Sequence, residues 1–305
     1  MIPDTSGAAP GRSIAVVSPS SPIRDERAFE QGLSLLARRW DVSTPAAVRA
    51  CKGFLAGTDA ARARALGAAI ARPGTRAVMA SRGGHGATRI LDMLDWEAWR
   101  DRPVPLVGFS DVTALQMAAL ARAGVATIHG PTVSSLAKLP GPFRHRLYHL
   151  IENPAAGWEE APARLLSLVP GEARGPLVGG NLSVLVALVG TPWMPRLDGC
   201  VLFVEDVAEA PYRVDRMMTQ LRNGGVLGSL AGIVAGEFTL CDPRQDGVTV
   251  EDVLREHGRH AGIPVASGLP AGHGGLNWSF TQSCDVLLRC GRRGSRARLS
   301  GGNRT

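Results

Sequence analysis

Short apolar runs alternate with segments of helical periodicity along the first half of the chain. SIAVVSPS is a compact apolar run halted by Ser-Pro-Ser, and RAFEQGLSLLARRW then repeats apolar residues at three- and four-residue intervals. DAARARALGAAIARPG predicts a second helix, ended by Pro73 and Gly74. TRAVMAS predicts a strand that opens into the loop RGGHGATR, and ATRILDMLDWEAWR is helical. VPLVGFS predicts a strand, DVTALQMAALARAG a helix closed by Gly124, and VATIHGP one more strand. Apolar strands alternating with helices predict a mostly parallel sheet covered on both faces. Such sheets gather their sites beyond the carboxyl ends of the strands. The SPS, RGGHG, GFSD and HGP segments all fall there.

The pattern changes near residue 151. ENPAAGWEEAPARLLSLVPGEARG is rich in Pro, Gly, Ala and Glu and reads as a linker with little regular structure. Beyond it, LVGGNLSVLVALVG, CVLFVED, LAGIVAGEF, IPVASGLPAG and DVLLRC are short strand-like runs between Gly-rich turns. The helix YRVDRMMTQLRNGG interrupts them. The expected organisation is an N-terminal α/β domain over 1–150, a linker over 151–175 and a smaller, strand-rich domain over 176–305. The tail GRRGSRARLSGGNRT reads as polar and basic, fraying at its end.

At 305 residues, 45% hydrophobic and 20% charged, the composition is that of a soluble globular protein rather than a disordered one. The net charge of +7 is scattered, much of it as arginines on Ala-rich helices, and no block alternates bases with aromatics. A solvated surface is expected and nucleic-acid binding is not. Five cysteines without a CxxC pair argue against a disulfide scaffold or a zinc site. The N-terminus lacks the pattern of a signal peptide, and no stretch has the length of a membrane span. A cytoplasmic enzyme, without membrane association, is the expectation.

Three residues at the edges of apolar runs carry candidate chemistry. Ser110 follows VPLVGF and precedes a helix, where the helix N-terminus favours negative charge. The N–H of Asp111 would be one oxyanion donor. Serine is equally a favoured helix N-cap, and Val112 stands where the nucleophile-elbow pattern wants glycine. In SRGGHGATR, Gly83, Gly84 and Gly86 permit a backbone with successive exposed N–H groups. The loop fits neither the dinucleotide nor the Walker pattern. A flexible turn is the plain alternative, with His85 lining the cleft. CVLFVED ends in two carboxylates, of which one at most faces a given cleft, so Glu205 and Asp206 stay undecided on this ground. His273 lies among glycines in GLPAGHGGLNW, accessible and suited to proton transfer near neutral pH. His145, His149, His257 and His260 lie on polar segments, and His129 follows a strand. The serine–acid–histidine order occurs in α/β-hydrolases, but order alone is weak evidence of kinship.

Together, SPSSP, SRGGHGATRILDMLD, VGFSDVTAL, IHGP, LVGGNLSVL, GTPW, LFVEDVAEAPYRVDRMMTQLR, GEF and GLPAGHG resemble the LD-carboxypeptidases, serine peptidases that act on muropeptides. The match runs almost end to end. The resemblance implies Ser110 as nucleophile, Glu205 as the acid that orients the base, and His273 as the base. It implies an oxyanion hole from the backbone N–H groups of Asp111 and Gly84. The fold it implies is a flavodoxin-like or class I glutamine-amidotransferase-like N-terminal domain with a strand-rich C-terminal domain, commonly in a homodimer. The substrate would be a murein tetrapeptide ending in D-alanine, with no metal or organic cofactor. Arg82, Arg213 and Arg216 are candidates for the terminal carboxylate, and His85, His129 and Asn181 for other substrate contacts. His85 departs from the family pattern, which often has tyrosine there. Three other readings stand beside this one. The first is a self-immunity peptidase of the same family, which tends to carry an added aromatic loop not evident here. The second is a non-catalytic small-molecule binding protein. The third is an amidotransferase-like enzyme, which would want a cysteine where Ser110 stands.

Overall fold

A computed structural model describes residues 12–161, 164–243, 247–292 and 294–301. The first eleven residues and the last four of the basic tail lie outside the described residues. In chain order the strands are β1 (Ser13–Val17), β2 (Asp41–Ser43), β3 (Thr75–Ala80), β4 (Leu106–Gly108), β5 (Ile128–His129), β6 (Leu165–Val169), β7 (Gly171–Asn181), β8 (Val201–Val207), β9 (Gly232–Thr239), β10 (Val265–Ser267), β11 (Phe280–Thr281), β12 (Cys284–Cys290) and β13 (Arg296–Gly301). The chain divides into two compact units. The first comprises residues 1–154 and 279–281, the second residues 155–278 and 282–305. Among the described residues no helix is long and apolar enough to cross a membrane.

The first unit is built on one sheet in the order β2-β1-β3-β4-β5-β11. The five strands β1 to β5 are mutually parallel, and β11 joins antiparallel to β5. The parallel order 2-1-3-4-5 is the flavodoxin-like winding, whose switch point lies between β1 and β3. Ile14, Val16, Ala77, Val78, Met79, Leu106, Val107 and Ile128 are all fully buried. That is why these strands read as unbroken apolar runs rather than alternating ones. The helix Glu26–Ala37 starts where the Asp25 carboxylate accepts the Ala28 N–H, and Asp59–Ala71 starts where Thr58 accepts the Ala61 N–H. ATRILDMLDWEAWR is two pieces rather than one helix: a 3-10 turn over Ala87–Met93 and an α-helix over Trp96–Asp101. The break comes at Asp95, whose side chain caps the second piece through Ala98 N–H.

The second unit is a closed barrel in the order β10-β6-β13-β12-β7-β8-β9. Strands β7 through β10 run parallel in succession, and β6, β12 and β13 are antiparallel. The segment expected to be a linker over 151–175 holds β6 and the start of β7. Leu165, Leu168 and Val169 bury their side chains while β6 pairs with β10 and β13. Pro170 separates β6 from β7, and Gly171 and Gly175 lie within β7. LVGGNLSVLVALVG is strand only to Asn181 and then becomes the helix Leu182–Val186. The basic tail forms β13, paired with β12 along its length. The helix Val250–Ala261, absent from the sequence reading, opens on a reciprocal capping box between Thr249 and Asp252 and closes on Gly262.

Candidate active site

In the first unit, the loops after β1, β3 and β4 meet at the switch point. Ser110 begins the 3-10 turn Ser110–Val112, which runs into the helix Thr113–Ala118. Its φ is 64°, in the left-handed region that side chains with a Cβ resist. The N-cap of that turn is Phe109, in extended conformation and without a side-chain cap. Ser110 is therefore held at a strained strand-to-helix corner rather than placed as a cap. Val112 does not prevent this corner, because Gly108 makes room for it: a Cβ at position 108 would lie 2.8 Å from Val112 Cγ1. The RGG loop passes directly against the serine, where a Cβ on Gly83 would lie 2.8 Å from Ser110 Cβ and 3.0 Å from its Oγ.

Several bonds lock this loop. Ser18 Oγ and Ser81 Oγ share a 2.7 Å hydrogen bond. The Ser21 N–H donates to Gly83 O at 3.4 Å, and Ser21 Oγ accepts the His85 N–H at 3.1 Å. The Asp111 carboxylate accepts the Ala87 N–H at 2.8 Å, tying the serine corner to the far end of the same loop. Gly84 takes φ 116° and has no space for a Cβ beside Ser21. Among the described residues, the N–H groups of Gly84 and Asp111 engage no acceptor. Sequence reasoning missed Arg62 here. It treated the arginines of that helix as solvated, yet Arg62 is 2% exposed. Its guanidinium donates to Pro19 O, to Gly86 O at 2.8 Å and to Asp59. One buried cation thus braces the loops after β1 and β3 together.

In the second unit, Glu205 and Asp206 lie near the end of β8, at a register shift against β9, and take different partners. Asp206 accepts from Asn181 Nδ2, from the Ser183 N–H and from the Val207 N–H, each at 2.9 Å. Glu205 is fully buried and its Oε2 lies 2.7 Å from His273 Nδ1. That bond fixes Nδ1 as the protonated nitrogen and leaves Nε2 as the basic one. Burial pushes the Glu205 pKa up, against the His273 bond and Asn181. Burial also works to lower His273, but the Glu205 bond and the charges of Glu205, Asp206 and Glu237 outweigh it and hold the imidazole above its ordinary value. Gly272 takes φ 136°, and a Cβ there would lie 2.8 Å from Glu205 Oε2.

The remaining candidates divide. Arg82 is half-buried, donates to Pro22 O at 3.2 Å and feels the charge of Arg24. His85 is exposed, edge-on to Phe54 at 5.5 Å. His129 is fully buried, stacked on Phe280 at 5.0 Å, so it packs the core and presents no surface to a substrate. Asn181 is 4% exposed and occupied as a helix cap, accepting from the Val184 N–H and Ser183 Oγ. It shapes the end of β7 and the start of the helix Leu182–Val186. Arg213 and Arg216 are exposed on the helix Pro211–Asn223, the first beside Glu209 and the second over the Tyr212 ring.

Two family descriptions match this chain: the LD-carboxypeptidase N-terminal domain over residues 14–130 and the LD-carboxypeptidase C-terminal domain over 174–286. The murein tetrapeptide carboxypeptidase of Pseudomonas aeruginosa is 32% identical over 288 residues, covering 92% of this chain and 94% of that protein. The crystal structure of muramoyltetrapeptide carboxypeptidase from Oxalobacter formigenes superposes with a TM-score of 0.81 at 29% identity, over 95% of this chain and all of that one (100%). The microcin C7 self-immunity protein MccF of Escherichia coli is 26% identical over 298 residues, 87% of each chain. A structure of MccF with glutamyl sulfamoyl guanosine matches at TM-score 0.87 over 97% of each chain. At 21% identity it speaks for the fold alone.

Proposed function

Because the chain belongs to the LD-carboxypeptidase family, we propose that it is a serine carboxypeptidase acting on murein tetrapeptides. The bond cut is the amide between the L-centre of the diamino acid and the terminal D-alanine. The observation that carries this reading is the buried Glu205 carboxylate bonded to the His273 ring at 2.7 Å, since a charged partner for an imidazole is what a general base in acyl transfer needs.

In this reading His273 Nε2 takes the Ser110 proton as Oγ attacks the carbonyl carbon. The N–H groups of Gly84 and Asp111 hold the oxyanion. The imidazolium then gives its proton to the departing D-alanine amine, leaving an acyl ester on Ser110. Water, deprotonated by the same nitrogen, releases the tripeptide and restores the hydroxyl. Glu205 keeps Nδ1 protonated throughout and stabilises the transient positive ring. The left-handed Ser110 supports a nucleophile role, because strain of this kind is kept where a hydroxyl must stand clear of its sheet. The proposal includes a cytoplasmic homodimer acting in cell-wall recycling.

The test is mass spectrometry of products from L-Ala-γ-D-Glu-meso-diaminopimelyl-D-Ala, beside the isomer ending in L-Ala. Release of D-alanine alone, abolished in Ser110→Ala and His273→Ala, supports the proposal. Turnover of an aminoacyl sulfamoyl adenosine with none of the tetrapeptide would favour the self-immunity branch, which the likeness to MccF keeps as the second reading. Near-normal turnover by Ser110→Ala overturns the nucleophile.

A further inference from the structure

The loop that bears His273 continues the pairing of β10 along β9. The Leu269 N–H donates to Ala235 O at 3.1 Å and the Glu237 N–H to Ala271 O at 2.9 Å, and Glu237 bridges Gly272 in parallel register. The two glycines flanking His273 are each crowded by a different acid. A Cβ on Gly272 would lie 2.8 Å from Glu205 Oε2, and one on Gly274 would overlap the Glu237 carboxylate. Glu205 reaches the ring itself from β8, while Glu237 lies against the backbone on the other side of the same residue, from β9. The Gly274 backbone packs directly against the Glu237 carboxylate, whose Oε2 is buried with no hydrogen-bond partner among the described residues.

We propose that Glu237 is a positioning residue for the general base: its carboxylate fixes the backbone of the His273 loop at Gly274 and sets the charge around the imidazole. The inference rests on the reading of His273 as the base. Two acids then share the work. Glu205 fixes which ring nitrogen is basic, and Glu237 fixes where the ring stands. Among the described residues, the carboxylates whose charge acts on the imidazole are Glu205 and Asp206 from β8 and Glu237 from β9. Glu237 is itself pushed above the ordinary carboxylate range by burial, against the Gly274 N–H and the charge of His273.

Glu237→Gln and Glu237→Ala separate the two contributions. The amide keeps the shape packed against Gly274 and loses the charge, and alanine loses both. Turnover of the tetrapeptide is followed against pH, and the His273 ring is titrated by NMR in the same full-length proteins. Glu237→Ala should lower kcat by about tenfold or more with KM within about twofold, as displacement of a catalytic group does. Glu237→Gln should recover most of that kcat. In both variants the acid limb of kcat/KM and the ring titration should move to lower pH, because a nearby anion no longer favours the imidazolium. A purely structural role would move neither titration. An unchanged ring titration in Glu237→Gln, or wild-type kcat in Glu237→Ala, overturns the proposal. If His273→Ala keeps its turnover, the base assignment fails, and the ring titration still decides the part played by Glu237. Should Glu237→Ala not fold, the glutamine variant carries the test.

Discussion

Replacing Arg62 with methionine tests whether one buried cation holds the serine-side loops together. The guanidinium is almost wholly enclosed and donates to two backbone carbonyls, Pro19 O and Gly86 O, as well as to Asp59. Asp59 keeps Arg89 at 2.7 Å when Arg62 is gone, so its carboxylate is not stranded. The two carbonyls are stranded. A buried acceptor that loses its partner costs about 1–3 kcal/mol. One term runs the other way: Arg62 Nε is buried with no hydrogen-bond partner, and that cost disappears with the side chain. A methionine of similar length refills most of the volume. The balance is a loss of roughly 2–4 kcal/mol. For a protein of this size that is a fall in Tm of about 3–6 °C. Differential scanning calorimetry reads it directly, and tetrapeptide turnover should fall in parallel because Ser18–Ser21 and Gly83–Gly86 lose their common brace. Arg62→Lys, with a charge but no fork, should recover part of the loss. A Tm within 1 °C of wild type, or lower stability with full turnover at 20 °C, would refute the idea that this residue organises the site.

The other expectations follow the same geometry. Ser110→Gly and Ser110→Ala should both be inactive, but the glycine variant should be the more stable by about 1 kcal/mol, since only alanine retains the strain at φ 64°; equal denaturation midpoints in urea would contradict that strain. Gly272→Ala should lower kcat by about a hundredfold with little change in KM, because the new methyl must displace Glu205 or the histidine, and steady-state kinetics near wild type would count against it. The acid limb of wild-type kcat/KM should lie above 6.5, since the base must be neutral and Glu205 outweighs burial in holding it protonated; Glu205→Gln should bring that limb down, and a limb unmoved by this change would be inconsistent with the pairing. Thr249→Ala should cost about 1 kcal/mol through loss of the cap on Val250–Ala261. Thr249 also holds the Asp252 pKa at about 2, below its ordinary 3.8, so the part carried by the carboxylate is present above 3.8 and is lost as pH falls through about 2. Urea midpoints of variant and parent should therefore differ more at pH 7 than at pH 2, where the bond from the Asp252 N–H to Thr249 Oγ still remains.

The first unit was legible because its strands are buried on both faces. Ile14–Val17 and Ala77–Ala80 read as unbroken apolar runs, and their ends then locate the SPS and RGGHG loops without any further knowledge. The second unit was less so. Strand β6 and the start of β7 lie in a Pro- and Gly-rich stretch whose composition outweighs its pattern, and only pairing with β10, β12 and β13 makes it strand. Val250–Ala261 was hidden by its polar, histidine-containing face, although Thr249 and Asp252 at capping-box spacing with Val250, Val253 and Leu254 buried were visible signals. Arg62 was out of reach, because an arginine on an alanine-rich helix looks solvated until two carbonyls from distant loops arrive at it. Glu205 and Asp206 could not be separated by pattern either. Asn181 stands opposite Glu205 in the register of β7 and β8, and its side chain serves both acids, bonding Asp206 and lowering the Glu205 pKa against burial.

The glycines give the most general lesson of the site. In the RGG segment and in the G-H-G segment they look like marks of flexibility, and a flexible loop would be a poor holder of catalytic groups. The structure assigns them to close approach instead. Gly83 admits Ser110, Gly84 admits Ser21, Gly272 admits Glu205 and Gly274 admits Glu237. At Gly84 and Gly272 the backbone is also in a conformation that a Cβ strains, with φ of 116° and 136°. Each glycine thus lets a polar side chain reach the loop, and two of these side chains, Ser21 and Glu205, tie it by hydrogen bonds. Crowding, not freedom, explains why both motifs are glycine-rich. The consequence is that alanine at any of these positions should act first on the position of the neighbouring hydroxyl or carboxylate, and so on kcat, before it acts on global stability.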